Sequence, residues 1–152
     1  MHCLRLVNGY QHTVRFHVDD LLSSHVDPKV NDRFQICLEK MYGKYKAVEP
    51  TRGKKHDYLD MLVDFTERGK VKIDMIKYVE SMIEDFPVKI SKISKTPAAE
   101  NLLDIGTGKL LDKARSEAYH TTVAKGLYLC KRSRPDIQPT IVVLSTRVKS
   151  PT

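Results

Sequence analysis

The chain has 152 residues, roughly one domain of ordinary size, and a chain of that length can bury about 70% of its unfolded surface without covalent staples. Hydrophobic residues make up 41% and charged residues 30%, which excludes a disordered or collagen-like chain. Lysine and arginine number 26 against 19 acidic residues, a formal net charge of +7, and a basic excess favours an anionic partner, nucleic acid first.

Taken in chain order, Leu4 and Leu6 read as a strand entering a hairpin at Asn8-Gly9, a pair that favours the positive-φ positions of a type I′ turn. The return strand runs over residues 13–18, with Thr13, Val14, Phe16 and Val18 as β-formers. The acidic pair Asp19-Asp20 follows, and then a second short strand over residues 21–24. Asp27 is an N-cap with Pro28 at the first helical position. Val30, Phe34, Cys37, Leu38 and Met41 make one helical stripe, which Gly43 ends. Residues 44–55 are basic and loop-like, with a short strand allowed.

Residues 58–65 alternate in hydrophobicity, which predicts one half-buried strand. Residues 67–70 turn the chain, and Val71 and Ile73 alternate again, completing a second hairpin. Asp74 caps a helix carrying Ile76, Val79, Met82, Ile83 and Phe86, which Pro87 stops. Residues 88–111 read as loop, with Lys89, Lys92 and Lys95 spaced three apart. A third helix is predicted over residues 113–132 with the stripe Tyr119, Val123, Leu127 and Cys130. A last helix begins near Pro135 with Ile137, Ile141, Leu144 and Val148 on one face. Pro139 lacks a backbone donor, so regular helix starts only near it. Strands first and helices afterwards predict an α+β fold, with a boundary near Asp74.

The longest uninterrupted aliphatic stretch covers residues 141–144, far below the ~18 residues needed to span a bilayer. The N-terminus has no apolar run of signal-peptide length, so neither secretion nor a membrane partner is expected. Three separated cysteines, Cys3, Cys37 and Cys130, suit reduced thiols in an intracellular protein. The histidines form no zinc-ligand spacing.

The stretch with chemistry in it is Phe16-His17-Val18-Asp19-Asp20-Leu21-Leu22. Neighbours on a strand point to opposite faces, but a tight turn breaks that alternation and lets both carboxylates approach one site. Two such anions repel unless a cation neutralises them. Magnesium takes one or two protein carboxylates and completes its shell with phosphate and water. Two such ions about 3.5–4 Å apart stabilise the attacking and leaving oxygens of nucleotidyl transfer. Aspartate is also a common turn former, and on the residues alone an acidic pair at a turn is most often a solvated loop tip.

The sequence His17-Val18-Asp19-Asp20 resembles the Tyr-Val-Asp-Asp box of reverse transcriptases, and later motifs resemble the copia-type LTR retrotransposon branch. Tyr58-Leu59-Asp60-Met61-Leu62-Val63 is similar to that family's Tyr-Leu-Gly-Met strand. Residues 72–79 are similar to its strand-into-helix segment, and Lys95-Thr96-Pro97 to its Thr-Pro loop. Tyr119-His120-Thr121-Thr122-Val123-Ala124-Lys125-Gly126-Leu127-Tyr128-Leu129, followed by Arg134-Pro135-Asp136-Ile137, resembles its helix and Arg-Pro-Asp-Ile signature. The motifs come in the family's order and cover nearly all of residues 10–149. The chain departs from the pattern at His17, where the family has tyrosine, at Asp60, where it has glycine, and at Pro139.

The resemblance implies part of a right-hand polymerase. Residues 1–73 would be late palm, with an acidic turn and a primer-gripping hairpin, and residues 74–152 a helical thumb. Asp19 and Asp20 would be catalytic and would hold Mg2+ or Mn2+, while His17, Met61 and Lys72 would lie against the primer. RNA template and DNA primer would be the partners, in the cytoplasm within a virus-like particle or in the nucleus. A third aspartate and the fingers would belong to a segment before Met1, so these residues alone are expected not to catalyse. Basic residues at Lys40, Lys44, Lys46, Arg52, Lys54 and Lys55, and at Lys125, Lys131, Arg132 and Arg134, would supply phosphate contacts of the salt-dependent kind. The alternatives are a non-catalytic nucleic-acid-binding remnant of a decayed element and an inactive relic with open sheet edges.

Overall fold

The computed structural model describes residues 2–91, 93–104 and 108–152; Lys92 of the predicted lysine spacing lies outside them. The fold is α+β, with two three-stranded antiparallel sheets and four α-helices. The chain divides into two compact units, Met1–Lys72 and Ile73–Thr152.

The first sheet is a meander of β1 (His2–Val7), β2 (Tyr10–His17) and β3 (Asp20–Ser24). Asn8 and Gly9 join β1 to β2 with φ of 52° and 79°, the conformation a type I′ hairpin requires. The return strand is longer than residues 13–18 at its start and shorter at its end. It begins at Tyr10, directly after the turn, and stops at His17, because Val18 and Asp19 form the next turn. His12, Val14 and Phe16 alternate along β2 toward the side covered by α1 (Pro28–Tyr42), which places His12 against Phe34.

Helix α1 starts where the sequence predicts. The Asp27 carboxylate accepts the Lys29 N–H at 3.0 Å, and Pro28 occupies the first turn, where its missing donor costs nothing. Its inward stripe is narrower than the hydrophobic pattern. Val30 is buried and Phe34 and Leu38 are half-buried, whereas Cys37 and Met41 are exposed.

The second sheet departs from expectation. Residues 58–65 are not one strand: β4 (Lys55–Tyr58) and β5 (Met61–Asp64) pair antiparallel around Leu59 and Asp60, whose φ values are 52° and 57°. Alternating hydrophobicity continued through the turn and concealed it. Strand β6 (Lys72–Asp74) follows the turn at residues 67–70, which the Lys70 N–H to Glu67 carbonyl bond closes at 3.1 Å.

In Ile73–Thr152, Met75 rather than the predicted Asp74 is the N-cap of α2 (Ile76–Glu84), and the Asp74 carboxylate, one residue earlier, takes the Ile76 N–H at 2.9 Å. The long helix α3 (Lys113–Cys130) begins on an Asp112 cap and ends two residues earlier than predicted, where Arg132, Ser133 and Arg134 all donate to the Leu129 carbonyl. Its inner face is Val123, Gly126, Leu129 and Cys130, whereas the predicted Leu127 is half-buried. A Cβ on Gly126 would lie 2.6 Å from Ile141 Cδ1, so the missing side chain lets α4 (Gln138–Ser145) approach closely. Pro135–Ile137 forms a 3-10 turn, and Pro139 sits within the first turn of α4. Val148 falls beyond that helix, in a following turn, rather than on its face. The Tyr119 hydroxyl donates to the Leu144 carbonyl at 2.8 Å, and burial pushes its pKa up.

Candidate functional site

The acidic pair occupies the end of the β2–β3 hairpin. His17 is the last residue of β2 and stands opposite Asp20, the first of β3. Val18 and Asp19 make the two-residue link, and Val18 has φ of +53° and is 91% exposed. A positive φ is a genuine outlier for a β-branched residue, and holding such a conformation costs on the order of 1–3 kcal/mol. Strain of this kind clusters at active sites and ligand clamps. Here it turns the chain in two residues, leaving consecutive, exposed carboxylates on either side of the turn-to-strand junction.

A second turn lies against the first. The Asp20 Oδ2 accepts the Leu59 N–H at 3.3 Å, so the β2–β3 hairpin meets the Leu59–Asp60 turn of the β4–β5 hairpin. Asp60 stands at positive φ, where a glycine has no Cβ penalty and aspartate is among the few tolerated substitutes. Met61, half-buried, is the first residue beyond that turn. His17, Asp19, Asp20 and the turn leading to Met61 are therefore brought to one region of Met1–Lys72. Lys72 is exposed at the start of β6, and among the described residues no hydrogen bond or ion pair joins it to the acidic turn. The contribution of Leu59 escaped the sequence because its strand-like alternation masked the turn; Asp60, as an αL-tolerant residue, was the available signal.

Among the described residues no group of three or more His, Cys, Asp or Glu side chains is placed to hold a metal. The pair offers two exposed carboxylates, the donor type that a hard divalent cation takes, and one of their oxygens is shared with a backbone N–H.

The basic residues sort into two kinds. Arg52 pairs with Asp32 at 2.8 Å and reaches Gln35, clamping the loop after α1. Lys55 pairs across the β4–β5 ladder with Asp64 at 3.3 Å. Two hydrogen bonds from Thr66, the stronger from its side chain, hold the Asp64 carboxyl down to about 2, with Lys55 contributing less. Lys125 pairs with Asp85, which raises its pKa, and Arg132 stacks 3.5 Å above the Tyr128 ring. Arg134 grips Asp136 with two bonds of 2.9 and 2.8 Å, lowering that carboxyl. The Arg-Pro-Asp-Ile signature is thus a clasp across the 3-10 turn. Lys40, Lys44, Lys46, Lys54 and Lys131 are exposed and have no ion pair among the described residues.

Over 140 residues, 91% of this chain, the sequence is 24% identical to the putative transposon Ty5-1 protein of Saccharomyces cerevisiae. The match takes in 43% of that protein, so the chain spans under half the length of this curated relative. The likeness is to a transposon protein and takes in nearly all of this chain. No family model matches the chain, and no solved structure matches it. No helix among the described residues is long and apolar enough to cross a membrane.

Proposed function

We propose that the chain is a palm-and-thumb portion of a copia-type reverse transcriptase, a right-hand RNA-directed DNA polymerase. The observation that carries this reading is the pair Asp19–Asp20 at a hairpin held in two residues by a strained Val18. The likeness to a transposon protein over most of the chain supports it.

In this reading Asp19 and Asp20 would hold divalent cations through their exposed carboxylates, and a bound cation would supply charge stabilisation to the attacking and leaving oxygens of nucleotidyl transfer. The primer 3′ hydroxyl gives its proton to solvent, its oxygen bonds to the α-phosphorus of the nucleotide, and the α-phosphorus bond to the bridging oxygen breaks as pyrophosphate leaves. His17, opposite Asp20, lies beside the primer end, Met61 and Lys72 line the second hairpin's approach to the primer, and the unpaired lysines bind phosphates without regard to sequence. The RNA template and DNA primer are the partners, and Mg2+ or Mn2+ the cofactor.

Primer extension on an RNA template tests the reading. The 152-residue chain alone should incorporate nothing, since two carboxylates are expected to need a third. Joined behind the upstream palm and fingers of a polymerase of the same type, it should support magnesium-dependent synthesis that Asp19→Asn or Asp20→Asn reduces to background. Synthesis that survives both substitutions would refute the assignment.

One observation favours a second reading, a non-catalytic nucleic-acid-binding module: Asp20 already serves as acceptor for Leu59 N–H and so ties two hairpins together. Metal-independent duplex binding that survives Asp19→Asn, in a joined protein that synthesises nothing, would favour this module.

A further inference from the structure

The functional reading leaves unused a polar cluster on the α1 side of the first sheet. His12 is only 8% exposed. Its Nε2 lies 2.9 Å from Ser23 Oγ on β3, and that hydroxyl donates to Asn31 Oδ1 on α1 at 2.8 Å. A hydroxyl has a single proton to donate. With that proton committed to Asn31, the neutral His12 ring carries its own on Nε2 and donates to Ser23. The chain His12–Ser23–Asn31 therefore links β2, β3 and α1.

His25, in the connection from β3 to α1, makes a second link. Its Nδ1 accepts the Asp27 N–H at 2.9 Å, and its Nε2 reaches the Val7 carbonyl on β1 at 3.2 Å. The Asp27 carbonyl also lies 3.2 Å from that Nδ1. His12 is held at one ring nitrogen only. Its ring packs edge-on against Phe34 at 5.4 Å and His25 at 5.9 Å, and its Nδ1 has no hydrogen-bond partner among the described residues.

We propose that His12 is a proton sensor that holds α1 on the first sheet when neutral and loosens it when protonated. The charged and titratable groups around it are Arg5, opposite it in the β1–β2 register, His25, Tyr10, whose ring meets His25, and Asp27 at the helix cap. The α1 residues that face it, Asn31 and Phe34, carry no charge. Asp27, the acid among these groups, has one carboxylate oxygen committed to the Lys29 N–H. A positive charge on His12, beside Arg5, thus has no compensating anion in contact with it among the described residues.

Burial, then His25 and Arg5, lower the His12 pKa below its ordinary 6.5. The loosened state then binds more protons than the packed one. The contribution is complete above about 6.5 and is lost as pH falls below it, toward the folded midpoint.

Amide hydrogen exchange of the full chain, corrected for intrinsic rates, tests the sensor. Between about pH 7.5 and 5.5, wild-type α1 amides should lose more protection than those of His12→Gln, by at most about tenfold, the limit for a group whose ordinary value is 6.5. The glutamine amide can donate to Ser23 and does not titrate, and α3 amides serve as the internal reference. Equal loss in both proteins would overturn the proposal. The ring titration of His12 in the wild-type chain covers the case in which the variant does not fold. A midpoint below 6.5 supports the sensor, and one at or above it removes the sensor.

Discussion

Every described residue at positive φ lies in Met1–Lys72: Asn8, Gly9, Val18, Gly53, Leu59, Asp60 and Gly69. Ile73–Thr152 has none among its described residues and is built from helices with extended or irregular links. The first unit reverses its chain in two-residue turns and fastens its layers with the His12–Ser23–Asn31 chain. The second relies on apolar contact, with Val123, Leu129 and Cys130 buried and Gly126 allowing α3 and α4 to close. The difference is one of where constraint resides. In the first unit it sits in the backbone at turns, where it can present side chains; in the second it sits between helix faces, where it fixes shape.

The largest effect that would sharpen this contrast is truncation in the second unit. Leu129→Ala should cost about 2–5 kcal/mol, with hydrogen exchange rising in Ile73–Thr152. An equal rise throughout Met1–Lys72 would break the comparison. Next, Gly126→Leu overfills the contact with Ile141 and should cost about 1–3 kcal/mol, read as a lower urea midpoint. In the first unit, Val18→Gly should act in the opposite direction. Releasing the strained φ outweighs the entropy cost of glycine by about 1 kcal/mol, raising stability while the acidic pair is retained. Asp60→Gly should follow the same sign with a smaller gain, about 0.5 kcal/mol, because aspartate already tolerates that conformation.

The smallest effect is local. Asp64, held down to about 2, should titrate by NMR near that value, and Thr66→Val should move it toward 3.8. Its folded pKa is depressed, so its contribution is present above about 3.8 and is lost as pH falls toward 2. An unshifted midpoint would remove Thr66 as the controlling partner. On the functional side, replacing Lys44, Lys46 and Lys54 should flatten the salt dependence of duplex binding by about 0.9 per lost contact. Arg52→Ala should instead loosen the loop it clamps to Asp32.

Much of the fold was legible because local chemistry and final structure agree. Asn8-Gly9, Asp27-Pro28 and Pro139 all act in the structure as their residue types dictate. The break at Leu59–Asp60 had Asp60 as its one local signal, since a turn made of leucine and aspartate carries no glycine and leaves the alternating pattern intact. The inner face of α3 was half legible: Val123 and Cys130 follow from hydrophobicity. Gly126 matters through an absent side chain that only the approach of Ile141 makes visible. The acidic pair could be read directly, while the bond from Leu59 to Asp20 spans 39 positions and has no local trace.

Local sequence was enough for the α+β order, the hairpin at Asn8–Gly9, the Asp27 cap of α1, and the pairing of two adjacent carboxylates. These depend on backbone preferences and on hydrogen bonds to near neighbours, which a short window contains. Tertiary structure alone decided that Val18 bears the strain of the acidic turn, that Leu59 meets Asp20, that His12 is enclosed by α1, and which basic residues are already paired. Each of those depends on distant segments meeting, and the free energy of such a meeting belongs to neither segment alone.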